Sequence, residues 1–133
     1  MDEKTARDLQ AVKDYLDASM APDPLRAARH VAPGFLCRFT GGREFHAPDG
    51  PAAFNKARYK WVRKRIERYD VVPGADETIV YSLGHLYGEW LDGTAFDHNR
   101  YIDRFTVRDG LIVDTDVWND SAEWILDPSV ARA

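Results

Sequence analysis

Asp103 is the residue with the most to explain. It lies in "YIDRFTV", where strand alternation puts Tyr101, Phe105 and Val107 on its own side. An ionised carboxylate on such a face is costly unless it is paired or stays protonated. Either the face is wet, or the core holds a polar site. His85 raises the same question in "YSLGHLYGEWL". There the alternation gathers Ile79, Tyr81, Leu83, His85, Tyr87, Glu89 and Leu91 on one side, and Val80, Ser82, Gly84, Leu86, Gly88 and Trp90 on the other. A histidine titrates near neutrality, so within an aromatic lining it is a candidate for moving a proton. Asn119, ending a strand on the side of Tyr101 and Asp103, can orient a substrate oxygen. Glu89 reads as a rim residue, and His30, His46 and His98 fall at a helix end or in turns, as surface residues do.

The elements that must position these groups are legible in outline. Residues 3 to 19 carry Leu9, Val12, Tyr15 and Leu16 on one helical stripe. Asp23-Pro24 reads as an N-cap with proline in the first turn, opening a short helix that runs to about Ala32 and stops at Pro33-Gly34. "FLCRFT" and "REFH" read as strands around the Gly41-Gly42 turn. A third helix, 51 to 66, is expected from the spacing of Phe54, Ala57 and Trp61, with Trp61 at the pocket floor. "IERYDVV" and three longer strands follow, the last two joined at Asp109-Gly110, which makes a meander. A three-residue turn there would set Phe105 opposite Val113, Asp103 opposite Thr115 and Arg104 opposite Asp114. A two-residue turn would set Asp103 against Asp116, so the first register is preferred.

The 133 residues, 44% hydrophobic and 12% aromatic, suit one packed domain spanning 1–133. A formal charge of −4 gives no support for a nucleic-acid partner. Residues 56 to 68 do hold seven of the 18 Lys and Arg, which read as a solvated face. Cys37, the only cysteine, excludes an intramolecular disulfide and fits a reducing cytoplasm. Neither a signal-peptide core nor a membrane-length apolar run is present. The Cys and His spacings do not resemble a zinc site, and no glycine loop for a nucleotide and no nucleophile elbow occurs.

The order helix, helix, strand, helix, meander, with "EFHAPDGPAAF" and "GEWLDGTAFDHNRYIDRFTVRDGLIVDTDVWND", resembles the nuclear transport factor two-like superfamily, especially its SnoaL-like branch. The resemblance covers nearly the whole chain, and "RYIDRFTVRDGLIV" is its most specific piece. It implies an α+β fold: a cone-shaped, curved antiparallel sheet with three helices of the N-terminal half packed in its concave face. Ketosteroid isomerase is a relative whose oxyanion hole pairs a tyrosine with a protonated aspartic acid. Tyr15 and Asp103 fall at those places. The isomerase's aspartate base has no counterpart, because the region reads Cys37, Arg38, Phe39, and His85 is the expected substitute. Limonene epoxide hydrolase is similar in fold, but Val117 stands where it has its last-strand aspartate, and Asp116 is one residue off register.

The reading that results is a cofactor-independent isomerase, dehydratase or cyclase acting on a mostly apolar, oxygen-bearing small molecule. Tyr15, His85 and Asp103 are its catalytic residues, and Trp61, Tyr87, Tyr101 and Asn119 contact substrate. No metal, nucleic acid or membrane is expected. The rival is a non-catalytic ligand-binding or protein-interaction domain with the same cone. A homodimer is expected through the outer sheet face, carrying Leu86, Trp90, Ile102, Thr106, Ile112 and Trp118. The alternative for that patch is cover from the C-terminal "SAEWILDP" segment.

Overall fold

The computed structural model describes residues 1–127 and 129; the rest of the expected 1–133 domain lies outside the described residues. Helix α1 (Glu3–Met20) opens at Asp2, whose carboxylate accepts from the Thr5 amide at 2.8 Å. Its buried stripe runs Thr5, Asp8, Ala11, Val12, Tyr15, Leu16 and Ala18, a 3.6-residue period with one carboxylate in it. Helix α2 (Pro24–Ala27) starts as expected, with Asp23 capping the Arg26 amide at 3.0 Å. It is shorter than the sequence suggested: one 3₁₀ turn follows at Ala28–His30, and strand β1 (Val31–Arg38) already begins at Val31. Pro33 and Gly34 therefore end no helix. They lie in a register break of β1, where proline's missing donor and the positive φ of Gly34 cost least.

Strand β2 (Glu44–Phe45) is followed by α3 (Asp49–Arg58) and then by strands β3 (Tyr59–Pro73), β4 (Thr78–Trp90), β5 (Ala95–Arg108) and β6 (Leu111–Asn119), and by helix α4 (Ser121–Leu126). The expected helix 51–66 thus ends at Arg58. From Tyr59 on, the chain pairs with β4 as far as Pro73, with register shifts beside Trp61 and Glu67. The helical spacing of Phe54, Ala57 and Trp61 was real, but a full strand ladder outweighs propensity over that stretch.

The six strands form one curved, unclosed sheet in the order β2-β1-β6-β5-β4-β3. Every pairing is antiparallel except β1 with β6, which is parallel, so the expected cone is built on a mixed sheet. Helix α1 crosses the concave face and touches β3, β4, β5 and β6. Between them lies the main core, in which Val12, Leu16, Phe35, Val80, Phe105, Val107 and Ile112 are almost fully buried. Each such side chain stabilises the fold by about 2 kcal/mol. A second cluster of Tyr59, Leu86, Phe96 and Tyr101 fills the other end, with Trp90 stacked on Phe96 at 4.2 Å and Trp124 of α4 packed beside it.

Both registers weighed for the last hairpin need correction. The turn is the two-residue one, with Asp109 and Gly110 at positive φ and Arg108 opposite Leu111. A bulge at Val113 then shifts the ladder, so Phe105 faces Thr115, Asp103 faces Val117, Arg104 faces Asp116 and Tyr101 faces Asn119. The preferred register was off by two residues, and an even shift preserves the faces. Tyr101, Asp103, Thr115, Val117 and Asn119 do share a side.

Strand β4 is the substantive correction. Ser82 pairs with Asp103, Val80 with Phe105 and Gly84 with Tyr101, so the small-residue set faces inward. His85, Tyr87 and Glu89 lie on the convex face. A side chain on Gly84 would meet the Arg65 carbonyl at 2.1 Å, so the glycine permits the close approach of β3.

Candidate active site

The concave face holds a chamber of about 90 Å³. Helix α1 contributes Tyr15, Leu16, Ser19 and Met20; the strands contribute Cys37, Lys64, Leu86, Tyr101, Asp103, Phe105, Thr115, Val117 and Asn119. A wider recess of about 420 Å³ between the end of α1, α3 and the start of β3 adjoins it. Ser19, Met20, Asn55, Tyr59, Val62 and Arg63 line both. Small-molecule sites have this form, an apolar concavity with a few polar groups.

Of the residues expected to act together, Tyr15, Tyr101, Asp103 and Asn119 line this chamber. His85, Tyr87 and Trp61 do not. His85 lies on the opposite face with its Nδ1 2.5 Å from Glu67 Oε1 and its ring 5.6 Å from that of His98. The sheet itself separates it from Asp103, so it is no proton carrier for the chamber. Tyr87 is stacked by Arg65 and lies edge-on to Trp61. Trp61, 40% exposed, donates to Glu89 at 2.6 Å and reaches only the outer recess. The inverted face of β4 and the early end of α3 account for all three.

Lys64 is the residue that sequence reasoning missed. Its Nζ contacts Asp103 Oδ2 and lies 4.9 Å from the centre of the Tyr101 ring, and its side chain is only 21% exposed. The signal was present in "YKWVRKRIERY", which read as a strand puts Lys64 with Val62 and Ile66 on the inner side. The rest of that basic run behaves as a solvated face does. Arg58 stacks on Phe54, Arg65 pairs with Asp97, and Arg68 pairs with Asp70.

Burial sets the protonation states. It pushes the Asp103 carboxyl above the ordinary aspartate value, with Lys64 opposing the rise. It also carries the Tyr15 phenol well above its usual range, Cys37 and Asp103 adding to the rise and Ser19 opposing it. Tyr101 is raised by burial too, while Ser82, at 2.9 Å from its hydroxyl, opposes. At neutral pH both phenols are therefore donors. Asn119 is oriented: its Oδ1 accepts from the Ser121 amide at 3.1 Å, which leaves the amide NH₂ for other partners. Ser121 is itself pinned by Tyr59 at 2.5 Å and Asn99 at 2.8 Å.

Cys37, also in the chamber wall, is pushed up to about 12, mainly by burial. The thiolate is the reactive form, so Cys37 should resist iodoacetamide at neutral pH in the folded protein and react readily in denaturant. Rapid labelling of the native protein, read by mass spectrometry, would contradict this placement. Among the described residues no cluster of three His, Cys, Asp or Glu side chains could hold a metal ion.

No family model and no curated protein matches the chain at the level of sequence. Solved structures do match. A protein of unknown function from Burkholderia pseudomallei K96243, described as NTF2-like, superposes with a TM-score of 0.75 at 16% identity, over 90% of this chain and 95% of that one. A candidate SnoaL-like polyketide cyclase from Jannaschia sp. CCS1 gives 0.70 at 16% identity, over 98% and 94%. An epoxide hydrolase from M. tuberculosis, described as LEH-like, gives 0.70 at 15%, over 96% and 92%. At such identities the likeness speaks for architecture alone. The chain has the nuclear transport factor two-like fold, in the cone-shaped form that SnoaL-like proteins share.

Proposed function

We propose that the protein is a small-molecule enzyme of the acid–base type, an isomerase, dehydratase or cyclase that needs no cofactor. Its chemistry centres on Asp103 and Lys64. The observation that carries the reading is a fully buried carboxyl, in contact with an amine, opening onto a mostly apolar chamber beside the phenol of Tyr15. Asp103 exchanges the proton, Lys64 holds countercharge against it, and Tyr15 donates to the oxygen on which charge develops. His85 has no part in this scheme. The candidate cyclase and the epoxide hydrolase among the structural neighbours are consistent with chemistry in such a cone, but their activities belong to those proteins. The single buried thiol supports a cytoplasmic setting.

Solvent-deuterium exchange into an enolisable ketone such as β-tetralone, followed by NMR, tests this. The protein should accelerate exchange above the buffer rate, and Asp103→Ala should abolish the acceleration. Exchange at the buffer rate with demonstrable ketone binding would favour the non-catalytic module instead.

The homodimer also belongs to this reading, with its surface redrawn. Leu86, Trp90 and Ile112 turn inward, Thr106 is buried, and α4 covers the Leu86 end of the cone, so neither these residues nor α4 defines the outer patch. What supports the dimer is an aligned row across three strands, Leu83, Ile102 and Trp118, with Ile102 40% and Trp118 55% exposed. Light scattering should give a dimer mass that Trp118→Glu halves. A monomeric wild type would remove the idea.

A further inference from the structure

Two polar atoms in the chamber have nothing to bond to. Asp103 Oδ1 and Thr115 Oγ1 are buried and without a hydrogen-bond partner among the described residues. Each residue is only 1% exposed, and both line the chamber. Buried polar groups are nearly always paired, so two unpaired ones on one face point to something that serves both.

The register shows how one group could serve them. Thr115 faces Phe105 on one side and Cys37 on the other, while Asp103 faces Val117. Asp103 and Thr115 are therefore diagonal neighbours on adjacent strands, with Cβ atoms roughly 7 Å apart in such an arrangement. A single oxygen between them can accept from the threonine hydroxyl and donate to the carboxylate. The flanking side chains offer no better partner: a phenylalanine, a valine, and a thiol that donates only weakly. Lys64 already occupies Oδ2, so the free oxygen of Asp103 is the one left to accept. Among the other polar groups of the lining, Tyr15, the Asn119 amide and Lys64 present donors, which suit a carbonyl.

We propose that Asp103 and Thr115 form a subsite for a ligand hydroxyl, so that the molecule taken into the chamber is a hydroxy-carbonyl compound rather than a simple ketone. Thr115 is then a specificity residue. The inference rests on the reading of the chamber as the ligand site, and it goes further in naming the substrate class.

Isothermal titration with acetophenone and meta-hydroxyacetophenone tests it. The wild type should bind the hydroxylated probe about tenfold more tightly. Thr115→Val, close to isosteric, should bring the two affinities near parity, and Thr115→Ser should keep the preference. Should the valine variant not fold, Thr115→Ala serves in its place. Equal affinities in the wild type, or a preference that survives loss of the hydroxyl, would overturn the proposal. If neither probe binds, the chamber reading falls and this inference with it. If the preference stands but no deuterium exchange occurs, only the catalytic reading fails.

Discussion

Lys64→Met should lower the stability of the fold by about 3 kcal/mol at neutral pH, although it removes one side chain that is a fifth exposed. The methionine fills the same space, so packing is not the cause. The loss comes from Asp103, which is left 1% exposed with neither of its oxygens paired. Its folded pKa already lies above the ordinary 3.8 because burial disfavours the charge, and Lys64 holds it down. Without Lys64 it rises further. A group whose folded pKa is raised favours folding below its unfolded value, and that advantage is lost as pH climbs through the folded value. The variant should therefore recover as pH falls through the raised folded value of Asp103, where the buried carboxyl takes up its proton. The double variant Lys64→Met/Asp103→Asn removes both charges and should lie within about 1 kcal/mol of the wild type. Urea unfolding across this pH range measures all three. A penalty in Lys64→Met that does not change with pH would mean that Asp103 is not the group responsible. The same variant should lose the proton-exchange activity by two or more orders of magnitude, the usual scale for removing an acid–base function.

Asp8→Ala should be nearly as damaging, far from the chamber. Asp8 is fully buried on α1 and accepts from the Thr78 hydroxyl at 2.6 Å and the Gly110 amide at 2.9 Å. It thus ties the helix to the start of β4 and to the turn between β5 and β6. Lys4 at 3.8 Å and Arg7 at 3.7 Å are partly solvated and add little. Removing the carboxylate strands two donors, for a loss of about 3 kcal/mol. That corresponds to a fall in melting temperature of roughly 10 °C for a domain of this size. Asp8→Asn retains an acceptor and should lose about 1 kcal/mol. A melting temperature that barely moves in Asp8→Ala would show that the tie is dispensable.

Why some of this was legible and some was not comes down to particular strands. The stripe of α1 identifies Tyr15 because helical periodicity survives one polar member. The alternation of β5 places Asp103 because its outward set, Arg100, Ile102 and Arg104, is plainly more polar. Strand β4 defeats the same logic. Its outward set of Ile79, Tyr81, Leu83 and Tyr87 is larger and more aromatic than its inward set of Val80, Ser82, Gly84 and Leu86. Small residues are inside because β3 approaches closely at Gly84, which is a tertiary fact and has no local signature. Lys64 was hidden by a different cause, a basic stretch with helical spacing that becomes a strand only when β4 is there to pair with it. Thr115 was legible in its face but not in its lack of a partner, since an unpaired hydroxyl can be recognised only once its neighbours are fixed.

The parallel pairing of β1 with β6 has a consequence for biosynthesis. Strand β1 has only the two residues of β2 on its other edge, so it cannot join the main sheet until residues 111–119 have emerged from the ribosome. The β3–β6 meander can assemble from neighbouring hairpins, but the wall of the chamber that carries Cys37 closes by a contact some 78 residues long, as between Arg38 and Asp116. Long-range closure of this kind is slow relative to hairpin formation. A nascent chain halted before β6 should therefore expose Phe35, Cys37 and the apolar stripe of α1 together, and recruit holdase chaperones until the last strand arrives.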